Sequence, residues 1–462
     1  MGMIASIALL AVSVKLSARS PSATTAIISG NHCVALLMSY HGRGNDLSTV
    51  IATTKAMKQP ETNRRAEEPV LVTDWPFAYG ATTLDNPWET LVPAYCKGPD
   101  ILYADRVMHA GTPAWVPRRI GDLRRIYQAT AHFSNAGMAP FAPLVGEHWH
   151  VLPLEADPPA HAAYRHVLNP AFTPKAIAQL DNKIRADARN YASILRDQGH
   201  CNFIEAVAFE FPIRVFLSLM AMPQSMAGEF LRWEHGLLHS SELDTLRSST
   251  RAVVDYLTAT IEERKQHPGD DLISYAVSTN KADGTPLSPV ELLGVCFNLF
   301  IGGLDSVSTN MAWQFFHLAT HPADQRRLRA DPTMIPAAID EMQRYYAAIT
   351  TYRRCIEPFD VAGVTILPGE FVAMCTTFAG RDEREYGDPD VVRFERKPSH
   401  VAFGYGPHTC IGVHLARREM RIALEEFLAI LPEFHLQTDV PMRTLLHNTL
   451  QPEILPLEWH PH

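Results

Sequence analysis

The chain has 462 residues, with 41 Lys and Arg against 50 Asp and Glu for a formal net charge of −9, 46% hydrophobic residues and 20% charged. That much apolar material excludes disorder throughout, and the acidic balance gives no chain-wide attraction to nucleic acid. No uninterrupted apolar run reaches the roughly 20 residues of a membrane span.

In chain order, residues 1–70 read as an N-terminal extension, disordered or accessory, ahead of a single domain over 71–462. The extension begins with an apolar stretch at 3–14, too short for a span. No basic residue precedes it, as a secretion signal would require. A Ser/Thr/Ala-rich segment and polar residues 55–68 follow, with no chemistry to assign. Prolines punctuate 76–175. Helical periodicity then predicts helices over 174–198, 203–222, 224–238, 249–267, 331–347 and 415–431. Strand-like pieces are few: 359–367 and 371–376, with Pro368-Gly369 as the turn between them. Strands and helices do not alternate, so a doubly wound parallel sheet is disfavoured. The fold class is mainly α with a small β part.

One helix stands out. Ser288-Pro289-Val290-Glu291 is a capping box with proline at the first helical position. The pattern then runs unbroken to Thr320, about 48 Å at 1.5 Å per residue. It is apolar on nearly every side from Leu292 to Leu304, as a helix through the middle of a large domain would be. At its centre lie Gly302, Gly303, Leu304, Asp305 and Ser306. Glycines here lower helix propensity by roughly 1 kcal/mol each, and Asp305 in apolar surroundings is costly unless paired or hydrated. Two readings fit. Either a neighbouring helix packs closely on the glycines, or something flat lies against them and needs protons or water delivered to it.

The seven cysteines are scattered without a CxxC pair, which argues against zinc or a disulfide framework and for a reducing cytosol. Cys410 is singled out by its loop, Phe403-Gly404-Tyr405-Gly406-Pro407-His408-Thr409-Cys410-Ile411-Gly412, which precedes a helix. A helix N-terminus stabilises a thiolate. Such a sulfur could be a nucleophile, with His408 as the local base, or a metal ligand.

This loop resembles the haem-binding loop of the cytochrome P450 superfamily at every fixed position. Glu341-Met342-Gln343-Arg344 resembles the family's Glu-x-x-Arg helix, with Arg396 as the third member of its cluster. Residues 302–306 resemble its oxygen-activation segment. The resemblance covers about 74–458. It is nearest the soluble bacterial camphor-hydroxylase-like group, through residues 115–119, 132–134, 157–165 and 414–419.

The resemblance implies the cytochrome P450 fold, with a long central helix over a buried haem b. It makes Cys410 the axial ligand of the haem iron, a thiolate that favours O–O cleavage, with Phe403 shielding the sulfur. His161, Arg165, Arg353 and His408 match propionate contacts, and Gly302 and Gly303 face the haem. Asp305 and Ser306 become the catalytic proton-delivery pair, although most relatives place threonine where Ser306 stands. Phe141, Trp149, Asn298 and Ile301 fall at substrate-contact positions. Glu341, Arg344 and Arg396 become a structural ion cluster that fixes the cysteine loop.

The expected activity is hydroxylation of a small apolar, terpenoid-like molecule with O2. The alternatives are aromatic or fatty-acid-type substrates, or a non-catalytic haem-binding ligand sensor. No flavin or nicotinamide fingerprint is present. The implied electron source is therefore a 2Fe-2S ferredoxin with a separate NAD(P)H ferredoxin reductase, docking on Arg124, Arg125, Arg165, Arg417 and Arg418. The expected protein is a cytoplasmic monomer with neither nucleic acid nor membrane as partner.

Overall fold

The computed structural model describes residues 70–460 except 79, 109, 110 and 447, so the reading of residues 1–69 lies outside the described residues. Helices dominate, and several differ at their edges from the periodicity. The pattern over 174–198 resolves into a turn at Pro174–Ile177 and a helix at Asp181–Arg196. That over 203–222 begins with a π turn, Ile204–Ala208, before Glu210–Leu219. Ala227–Leu238, Leu243–Gln266, Ile335–Tyr345 and Val413–Ile430 lie close to expectation.

The central helix begins as its sequence dictates. Ser288 Oγ accepts from the Glu291 N–H at 3.3 Å, and the Glu291 carboxylate accepts from the Ser288 N–H at 2.7 Å. It does not run unbroken to Thr320. It divides into Pro289–Gly303 and Asp305–Thr320, with Leu304 at φ −100°, ψ −64° between them. The bond from the Ser308 N–H to the Leu304 carbonyl is stretched to 3.5 Å. Two glycines weaken this turn, and the Ser306 hydroxyl bonds back to the Gly302 carbonyl at 3.3 Å, competing with the helix ladder. By length and composition, residues 289–320 are apolar enough to cross a membrane, but most of this stretch is buried inside the protein.

The main sheet has six strands, in the order Leu71–Val72, Ile101–Met108, Thr112–Pro117, Phe371–Cys375, Thr350–Cys355 and Phe133–Ser134. The predicted strand at 359–367 is instead a hairpin of Phe359–Val361 and Val364–Ile366. Ala362 and Gly363 turn it, both at positive φ, the conformation a two-residue hairpin loop needs. Phe371–Cys375 pairs not with this hairpin but with Thr350–Cys355. A strand read across a two-residue turn looks continuous because both halves are apolar and β-branched.

Three apolar clusters make the core. One includes Val307 to Ala319 and the C-terminal helix. The second includes Leu292 to Leu304 and the Ala227–Leu238 and Leu243–Gln266 helices. The third lies around Trp115 and Ile120. Phe403 packs on the first, Ile411 on the second and Tyr405 on the third, so the cysteine loop sits where all three meet.

Candidate active site

The cysteine loop is closed by its own backbone. The Cys410 N–H donates to the Phe403 carbonyl at 2.8 Å, and the Thr409 N–H and hydroxyl both donate to the Gly406 carbonyl. Gly406 lies at φ +70°, and a Cβ there would press to 3.1 Å from the Tyr127 carbonyl oxygen, so both conformation and packing require glycine. The helix Val413–Ile430 starts directly after. Burial pushes the Cys410 thiol up, against the lowering effects of the Gly412 N–H and Arg165. The expectation that the helix N-terminus stabilises a thiolate meets an opposing effect, because desolvation is the larger. A metal cation bound at the sulfur would favour the thiolate.

Beside the loop stand two arginines and two histidines. Arg165 donates to the Thr409 carbonyl at 2.8 Å, and Arg353, 6% exposed, donates to the carbonyl of Tyr352 at 2.7 Å. His161 and His408 stack with ring centroids 4.0 Å apart, and Asn135 Nδ2 lies 3.0 Å from His408 Nε2. Burial first, then the neighbouring Arg165 and Arg353, hold His161 down at about 4. Burial lowers both arginines as well. Among the described residues no carboxylate ion-pairs with Arg165 or Arg353, and His161 Nε2 is buried without a hydrogen-bond partner.

On the central helix, Asn298, Ile301, Gly302 and Asp305 follow at the spacing of one face. Gly302 is exposed in the middle of the helix, and a Cβ there would meet nothing within 4 Å. Gly303 by contrast packs against Phe216, where a Cβ would lie 3.4 Å from the ring. Only one of the two glycines therefore faces open space. Asp305 is buried, with Oδ1 3.2 Å from His239 Nε2.

A family model described as Cytochrome P450 matches residues 122–454. The chain belongs to the cytochrome P450 family. It is similar to a probable cytochrome P450 127A1 of Sinorhizobium fredii, 32% identical over 76% of this chain and 85% of that one. Pentalenic acid synthase of Streptomyces avermitilis is 30% identical over 66% and 77%. Among solved structures, that of cytochrome P450 CYP101C1 superposes with a TM-score of 0.75 at 29% identity, over 84% of this chain and 97% of that one.

The cofactor of a cytochrome P450 monooxygenase is haem b, and this site fits it. Arg165 and Arg353 have no carboxylate ion-pair partner among the described residues, His161 Nε2 is buried without a hydrogen-bond partner, and Gly302 leaves open space on one side. The Cys410 thiol is of a kind that binds a haem iron. Cys410 would hold the iron, and Arg165, Arg353, His161 and His408 the propionates. Bound there, the haem would supply O2 activation, by which, with two electrons and two protons from outside, one oxygen atom would enter the substrate and the other would leave as water.

The supporting cluster is assembled around a fully buried pair, Glu341 and Arg344. Arg344 makes two bonds to Glu341, at 2.7 and 3.0 Å, and Arg396 Nε adds a third at 2.9 Å. Arg344 also donates to the carbonyls of Gly380, Pro389 and Val391, and Arg396 to those of Gly387, Asp388 and Val391. These carbonyls lie in residues 380–391. The cluster therefore pins the segment ahead of the cysteine loop, not the loop itself as the sequence reading had it.

Two further expectations shift. Trp149 is buried against Phe297, ring centroids 4.7 Å apart, with its indole N–H on Glu147 at 2.8 Å. That donor is already used within the protein. Phe141 meets the same ring at 5.2 Å. Arg165 is half-buried under the cysteine loop and does not join a surface patch. The remaining arginines of that patch are paired: Arg124 with Glu385, Arg125 with Asp122, Arg417 with Asp340 and Arg418 with Asp181. Glu234 and His239, buried against Asp305, escaped the sequence reading. A histidine just past a helix end carries no periodic signal.

Proposed function

We propose that this P450 hydroxylates a small apolar, terpenoid-like molecule, with electrons from a 2Fe-2S ferredoxin and its separate NAD(P)H reductase. The observation that carries the substrate class is the apolar character of the residues around Gly302. Phe141 and Ile301 pack with Phe297 and Trp149 in one apolar cluster. Asn298, one turn before Gly302, is an uncharged polar side chain on that helix face, and apolar surroundings with one such group suit a hydrocarbon-like ligand with a single polar group. The relatives carry names as different as pentalenic acid synthase and a polyketide biosynthesis cytochrome P450, so the apolar cluster alone supports this choice.

In this reading Cys410 and Phe403 hold and shelter the iron. Asp305 and Ser306 bring protons to the oxygen side, and the apolar walls keep bulk water out. A cavity of about 240 Å³ lined by Ile339, Asp340, His414, Arg417, Arg418 and Arg421 supports docking of an acidic donor on the cysteine side. The six described cysteines are free thiols, in keeping with a reducing cytoplasm.

The test is optical. Terpenoids, aromatic acids and fatty acids are titrated into the haem-loaded protein, and binders are carried into turnover with NADH, ferredoxin and reductase. Spectral shifts and hydroxylated product from terpenoids are expected. Turnover confined to fatty acids or aromatics overturns the substrate class, and binding without any NADH consumption makes the protein a sensor.

A further inference from the structure

Asp305 lies deep in the protein, and a proton passing through it must come from somewhere. Its neighbour His239 follows the helix Ala227–Leu238 as its C-cap. His239 Nε2 lies 3.2 Å from Asp305 Oδ1 and 3.4 Å from Glu234 Oε1. The three side chains are 10% exposed or less. Two carboxylates buried around one imidazole are tenable only if protons are shared among them.

On its other side His239 lines a cavity of about 190 Å³, with Glu205, Phe209, His235, Gln451 and Glu453. At roughly 30 Å³ per molecule such a space holds several waters. His235 is exposed to solvent, and Glu453 is held at its edge by Arg443 at 2.8 Å. Cavity, His239 and Asp305 thus form one contiguous path from the surface into the central helix, where Ser306 is the next residue.

We propose that His239, flanked by Glu234, is a positioning residue that passes solvent protons from this cavity to Asp305. The proposal rests on the role given above to Asp305 and Ser306. In each passage a proton leaves Nε2 for Asp305 Oδ1, and the imidazole regains one from cavity water, with Glu234 keeping its own protonation state. No electrons move and no other bond breaks. Burial opposes charge on the imidazole, but Asp305 and Glu234 outweigh it and raise His239 to about 10. Burial also raises Glu234. The other titratable groups facing the imidazole across the cavity are His235, Glu205 and Glu453 with its partner Arg443.

The test has two arms. In the haem-loaded ferrous carbon monoxide form, 15N-histidine NMR at pH 8 should show His239 as an imidazolium, and Asp305→Asn should shift it toward neutral. A neutral His239 in the unmodified protein overturns the proposal. In the second arm, oxygen consumption is measured with NADH, ferredoxin and reductase in H2O and D2O, with camphor as probe. His239→Gln and the milder Glu234→Gln should each slow it, the first by roughly tenfold, and enlarge the solvent isotope effect, while the carbon monoxide band stays unchanged. Rates and isotope effects equal to the unmodified protein in both variants overturn the relay. If Asp305→Asn slows consumption while they do not, the relay alone fails. If Asp305→Asn has no effect either, the reading of Asp305 falls with it.

Discussion

In the proposed function Ser306 serves proton delivery, and it lacks the methyl group that would restrict its hydroxyl's rotation. That hydroxyl rests on the Gly302 carbonyl. Ser306→Thr should therefore raise product formed per NADH consumed, and Ser306→Ala should divert electrons to hydrogen peroxide; peroxide assay beside product analysis checks both. Cys410→Ser removes the sulfur, and the ferrous carbon monoxide complex should lose its thiolate-type band. His161 gives a pH signature. Its ordinary value of 6.5 falls to about 4, through burial and then Arg165 and Arg353. Between those values the unfolded chain binds more protons than the folded one. The apoprotein should thus lose stability as pH falls from 6.5 toward about 4. Haem propionates supply the missing anions, so the loaded protein should lose less. Thermal midpoints of both forms across that range decide it.

At the scale of elements, two glycines of the same helix make opposite predictions. A Cβ on Gly294 would collide with the His150 carbonyl oxygen, where the chain crosses the helix and the Leu152 N–H bonds to the Gly294 carbonyl. Gly294→Ala should lower the thermal midpoint markedly. Gly302→Ala meets open space and gains roughly 1 kcal/mol of helix propensity. It should fold normally but change the haem spectrum and weaken substrate-induced shifts. Glu341→Gln leaves the buried Arg344 and the partly buried Arg396 underpaired, and breaking such a cluster typically costs about 3–5 kcal/mol. Loss of bound haem and a lower midpoint by calorimetry are expected. These elements differ in how legible they were. The capping box at Ser288 and the loop around Cys410 are local, a few residues whose chemistry is complete in sequence. The division at Leu304 and the hairpin turn at Ala362 depend on one hydroxyl and one backbone conformation, each of which a periodic pattern passes over.

Over the whole molecule, legibility falls with sequence separation. The buried cations were readable only as four separate positions, because what gathers them is the packing of three clusters around one loop. Glu234 and His239 were not readable at all, since their partner Asp305 is far along the chain. Charge pairing has the same character. The arginines near the cysteine side look like a bare basic patch in sequence, yet Asp340 and Asp181 neutralise two of them in the fold. Freeing Arg417 with Asp340→Asn should lower the KM for an acidic ferredoxin, most clearly at low ionic strength, where screening is weak.

The interruption at Leu304 falls at the border between two of the apolar clusters: residues up to 304 belong with the helices beside the substrate-side rings, and those from 307 with the C-terminal helix behind Cys410. A continuous rod would carry any tilt of one mass straight into the other. A jointed one leaves the two packed masses mechanically separate, so a substitution that repacks the half ending at Gly303 should leave the packing of Asp305–Thr320 undisturbed.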